Sequence, residues 1–184
     1  MNHQLVPAAG LILLLSAFAT FPGLMMFTLR RGYRGGAPRS PVHLAWERSF
    51  IMAGVVLKVI GFVLLASALQ NTDGRVWGLI GATGFMFGGI LLVAAEAQSL
   101  TFGYEKLYPL IVVFVVMAFL AQAAIGGAWL QGGLPAAWIG WATIVWNLAW
   151  LIALAIFSRR DLYYPVLHGV MPLVMGIALL WGTV

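Results

Sequence analysis

The sequence predicts an all-α, polytopic integral membrane protein of six transmembrane helices, with its N-terminus and its C-terminus both on the outer side. Three observations carry that expectation. Of 184 residues 62% are hydrophobic and 8% charged, far from the roughly 45–50% apolar and about 25% charged of a soluble domain. The apolar residues come in uncharged runs of roughly 20, the length a helix rising about 1.5 Å per residue needs to cross a hydrocarbon core of about 30 Å. The cations, finally, are sorted onto alternate connections between those runs.

The first span is read as Leu5 to Leu29. Its opening, MNHQLVPAAG, has no basic n-region and no clean cleavage pattern follows, so it reads as a retained helix rather than a removed signal peptide. Pro22 lies inside it and is expected to kink it. The longest connection, Arg30 to Ala45, holds RRGYRGGAPRSP, whose Gly and Pro break helix and whose arginines are excluded from lipid. The second span, Trp46 to Leu69, carries Lys58 close to its middle. The third, Val76 to Gln98, presents Gly78, Gly81, Gly84, Gly88 and Gly89 on one broad side, with Gly74 just before it. In lipid, small-residue faces let helices approach closely, and Gly74/Gly78 and Gly84/Gly88 have the small-xxx-small spacing. This span is therefore expected at the centre of the bundle, with a homodimer contact as the other use of its glycines. The fourth span is Leu107 to Leu130, the fifth Ala136 to Phe157 with Asn147 near its middle, and the sixth Leu162 to Trp181 with His168 and Pro172. The whole chain, 1–184, reads as one transmembrane domain without a soluble one. Lys58 and Asn147 fall at similar depths in the second and fifth spans, but their flanks do not match, so no inverted repeat is assigned.

Orientation follows from the cations. Arg30, Arg31, Arg34, Arg39, Arg48, Lys106, Arg159 and Arg160 lie in or beside the connections after the odd spans, against Arg75 alone on the other side. Cytoplasmic loops carry such an excess. The five tyrosines share that cytoplasmic side, while Trp77, Trp129, Trp138 and Trp181 fall near the outer boundary, as interfacial belts do. The excess of 10 Lys+Arg over 5 Asp+Glu is thus topological. Arg30, Arg31, Arg34, Arg159 and Arg160 are expected to meet anionic lipid at about 1 kcal/mol per cation. Nucleic acid is not an expected partner, since RRGYRGGAPR has neither a stacking platform nor a folded reading element.

A charge at membrane depth costs at least about 2.5–3.5 kcal/mol and marks a functional candidate. Lys58 lies near the midplane and Glu96 toward the cytoplasmic end of the third span, about 10 Å apart in depth at the helical rise. Side chains lean toward their own N-termini, so on antiparallel neighbours these two lean toward each other, and an ion pair between them is geometrically reasonable. Asn147 and His168, with Gln98, would complete a polar cavity open to the cytoplasm.

Much chemistry is excluded. With no Cys there is no disulfide, thiolate site or cysteine nucleophile. His3, His43 and His168 do not match in depth for a bis-histidine haem, and no HExxH spacing exists. The fourth span has no serine nucleophile motif. No cofactor, metal site or catalytic residue is assigned. The leading reading is a non-enzymatic carrier, receptor or helical subunit of a larger complex in the cytoplasmic (inner) membrane of a bacterium. Lys58, Glu96, Asn147 and His168 would line its interior, with the lipid bilayer and other membrane subunits as partners. A membrane enzyme acting on an anionic or lipidic substrate at the inner leaflet, using Glu96 or His168 with Arg159 and Arg160, is one alternative. A purely structural accessory subunit is the other.

Overall fold

The computed structural model describes residue 2 and residues 4–28, 40–101, 104–157 and 165–182. Six helices follow one another: α1 (Leu5–Thr28), α2 (Pro41–Ala68), α3 (Arg75–Gln98), α4 (Tyr104–Gln131), α5 (Ala137–Phe157) and α6 (Pro165–Trp181), with no strand among the described residues. Five are long and apolar enough to cross a bilayer, and α6, at 17 residues, is shorter. Its rise of about 26 Å falls just below the hydrocarbon thickness of about 30 Å.

α2 begins at Pro41, five residues before the expected Trp46. The cause is local: the Ser40 hydroxyl accepts from the His43 N–H at 3.1 Å, and proline at the first position needs no N–H partner. Glu47 and Arg48, at the very start of the expected span, thereby lie well inside the helix. Pro22 and Pro172 lie within α1 and α6, which continue through them.

The distribution of side chains is inverted relative to a soluble protein. Lys58, Glu47, Arg48, Glu96, Gln122, Asn147 and His168 are buried, whereas Val76, Leu79, Ile80, Phe87 and Ile90 on α3 and Trp141, Val145, Ile152 and Ile156 on α5 are exposed. Apolar outer faces of this extent suit lipid, which also explains why every span is a helix that satisfies its own backbone. The chain is an integral membrane protein.

Each helix packs on the next in sequence, and α1 also packs on α6, so the six close a ring whose sparsest seam is between α5 and α6. The most enclosed helix is α4, not the glycine-rich α3: 56% of its apolar window is buried, against 44% for α3 and 28% for α5. The α3 glycines are spent within the chain. A Cβ at Gly81 would lie 2.8 Å from the Ala121 carbonyl oxygen, and one at Gly89 3.1 Å from Val59. Close backbone crossings recur elsewhere, at Gly10 with Gly176 between α1 and α6 and at Gly126 with Gly140 between α4 and α5. The α4–α5 turn is tight, with left-handed Gly133 (φ 65) and Ala136 (φ 57). Trp129, expected in the outer belt, is instead fully buried and donates its Nε1 hydrogen to the Pro135 carbonyl at 3.0 Å, pinning this turn. Trp77, Trp138 and Trp181 are exposed as an interfacial belt requires.

Candidate functional site

The interior is organised by a row of aromatic rings. Phe62 on α2 meets Phe85 on α3 edge-on at 5.0 Å, and Phe85 meets Phe114 on α4 at 6.4 Å. The His168 imidazole of α6 closes the row, 5.3 Å from the Phe114 ring and 4.2 Å from Phe119. Edge-to-face geometry follows from the negative ring face and positive ring edge of each phenyl.

Lys58 stands one turn before Phe62 on the same side of α2, a spacing that puts the two on a shared face. Its level is fixed by its neighbours: Val59 packs against Gly89, and Gly88 packs against Phe114, which touches His168. Lys58, beside Phe62, and His168 thus border one continuous row of rings. Both are 2% exposed. Among the described residues the Lys58 ammonium has no hydrogen bond or ion pair. Neither ring nitrogen of His168 has a hydrogen-bond partner.

Gln122 joins them from α4. Its Nε2 donates to the His168 carbonyl at 3.3 Å, while its Oε1 is buried and unpartnered. Trp146 of α5 donates to the neighbouring Leu167 carbonyl at 3.1 Å. Carbonyls in the first turns of α6 thus accept from two different helices, which holds the backbone that carries His168. Gln122 went unnoticed in the sequence, although it is the only polar residue between Tyr108 and Gln131.

Glu96 belongs to a different constellation. Its Oε2 accepts from Arg48 Nη1, and Arg48 Nε lies 3.7 Å from Glu47 Oε1. All three are buried, and α1 backs them, with Gly23 against the Glu47 carbonyl. The expected Lys58–Glu96 pair is therefore not formed. Arg48, about ten residues and roughly 15 Å of helix closer to the start of α2, takes the carboxylate, and its guanidinium fork suits that partner better than an ammonium does. Of the four predicted interior residues, the structure buries Lys58 and His168 along one row of aromatic rings and assigns Glu96 to Arg48.

Asn147 is fully buried, but its Nδ2 donates to the Thr143 carbonyl of its own helix at 2.8 Å and its Oδ1 is unpartnered. Gln98 is exposed and does not share the interior. Arg30, Arg31, Arg34, Arg159 and Arg160 lie outside the described residues. Among the described residues no cluster of three His, Asp or Glu side chains is placed to hold a metal ion. No known protein family, characterised protein or solved structure matches the chain.

Proposed function

We propose that the protein is a non-enzymatic carrier or receptor, or the ligand-holding helical subunit of a larger membrane complex, that binds a small polar molecule between α2, α4 and α6. One observation supports this reading above the others. His168 and Gln122 carry polar atoms that are buried at membrane depth and unpartnered, and Lys58, a buried residue, has no hydrogen bond or ion pair among the described residues. A buried polar atom without a partner costs about 1–3 kcal/mol, and a charge costs more. A bound molecule would offset that cost, and helix packing gives no reason to place these atoms here, because close glycine contacts already join the helices. Asn147 Oδ1 belongs to the same interior from the α5 side, and Glu96 serves the Arg48 cluster at its cytoplasmic edge.

Native mass spectrometry of protein released gently from its own membrane tests the reading. A stoichiometric small molecule is expected on the wild type and is expected to be missing from Lys58→Met and His168→Ala. A bare chain bound stoichiometrically to another protein would instead favour the structural-subunit alternative. The enzyme alternative leans on Arg159 and Arg160, outside the described residues.

The charge asymmetry supports both chain termini on the outer side of the cytoplasmic membrane of a bacterium, with the α1–α2, α3–α4 and α5–α6 connections inside. The chain has no Cys, so single cysteines report the topology without background. Asn71→Cys is expected to react with an impermeant maleimide added to intact cells, and Thr101→Cys only after lysis. The reverse pattern would invert the orientation.

A further inference from the structure

We infer that the ligand of the Lys58–His168 interior is a short monovalent carboxylate carrying its own hydroxyl group, a small hydroxy acid. The inference rests on the ligand-binding reading above and adds its chemical class. The donor and acceptor inventory around the aromatic row sets that class. Lys58 supplies one positive charge and three N–H donors, none of them engaged among the described residues. An ammonium at this depth needs a counter-charge, and one ammonium matches one carboxylate. The carboxylate of Glu96 is engaged by Arg48 and does not serve.

A bare anion would satisfy Lys58 and leave acceptors stranded. Gln122 Oε1 is an acceptor only, and a neutral imidazole presents one lone pair beside its single N–H. All of these atoms are buried and unpartnered. The ligand must therefore bring a donor as well as a negative charge. An amino acid zwitterion brings an ammonium that Lys58 repels, whereas a hydroxyl donates without charge. The walls argue for a short chain. Phe62, Phe85 and Phe119 are fully buried and Phe114 nearly so, leaving large rings on the sides around the polar atoms. Positive ring edges also tolerate an anion better than ring faces do.

Isothermal titration of the purified full chain in detergent, at constant ionic strength, tests this with sodium glycolate, sodium acetate, sodium chloride and ethylene glycol. Glycolate is expected to bind at one per chain. Acetate, lacking the hydroxyl, is expected to bind about tenfold or more weakly, as loss of one hydrogen bond to a buried acceptor implies. Ethylene glycol, lacking the charge, is expected not to bind. Lys58→Met should abolish glycolate binding, and Gln122→Leu should narrow the gap between glycolate and acetate while leaving acetate bound. That second variant keeps the test decisive if the first does not fold. Acetate or chloride binding as tightly as glycolate, or glycolate binding unchanged by Lys58→Met, overturns the assigned class. In that event a small molecule seen in the native mass spectrum and lost in Lys58→Met leaves the ligand-binding interior standing. No binding of any probe together with a bare native spectrum removes both.

Discussion

Replacing Arg48 by methionine is expected to destabilise the bundle by about 3–5 kcal/mol, the cost of breaking a buried ion pair from one side. Methionine keeps the length of the side chain and removes the charge, so Glu96 loses its bond to Nη1 and Glu47 loses the guanidinium 3.7 Å from its Oε1. The penalty has an upper bound, because the denatured chain also stays in the bilayer or micelle and finds other partners there. The measurement is the unfolding midpoint of purified protein titrated with SDS. The double variant Arg48→Met/Glu96→Gln is expected to recover part of the loss, since it removes one of the two buried carboxylate charges that face Arg48. An unchanged midpoint for the single variant would show that the pair adds nothing to stability. Lys58→Met supplies the contrast, because removing an ammonium without a described partner is expected to hold or raise the midpoint while ligand binding is lost.

Gly126→Val is expected to be strongly damaging without any change of charge. A Cβ at Gly126 would lie 2.7 Å from the Gly140 carbonyl oxygen, 2.9 Å from Ile144 Cγ1 and 3.1 Å from the Ile144 nitrogen. Two of those three atoms are backbone, so no rotamer change relieves the clash and α5 must move off α4. Overpacking typically costs about 1–3 kcal/mol, and a helix displaced as a whole lies at or above that range. α5 has little else to hold it, given its sparse seam with α6. Gly169→Ala on α6 is the matched control: nothing lies within 4 Å of its Cβ position, and a gain of roughly 0.5–1 kcal/mol is expected from helix propensity. Equal midpoints for the Gly126 and Gly169 variants would refute the close crossing of α4 and α5.

The helices were legible because a bilayer imposes one length on every span and leaves little room for alternatives. The positions of Lys58, Asn147 and His168 inside helices followed from the same constraint, and all three are buried. What the pattern did not reveal was partner choice. Glu47 and Arg48 sit at the edge of an apolar run, where charges normally belong to the interface, and the cap at Ser40, seven and eight residues before them, sets them well inside α2. Ser40 followed by Pro41 was the available signal. The glycine side of α3 was readable as a packing face. Which helix is buried most depends on all six at once, and that helix is α4. Trp129 obeyed the statistics of an outer belt by position, yet its indole is spent on the Pro135 carbonyl, a contact that exists only because the α4–α5 turn folds back on it.

The pairing of α1 with α6 also carries a consequence for biosynthesis. As the chain leaves the ribosome, α2 to α5 can each dock on the helix made just before, but the groove at Gly10 on α1 must wait for Gly176. His168 arrives with the same helix, so the polar layer around Lys58 is assembled at the last insertion step, by the contact most distant in sequence and hence slowest to form. Until then the ammonium has no imidazole beside it. A chain interrupted after α5 would present that open side of α1 to the insertion and surveillance machinery, which makes completion of the interior and completion of the bundle a single event.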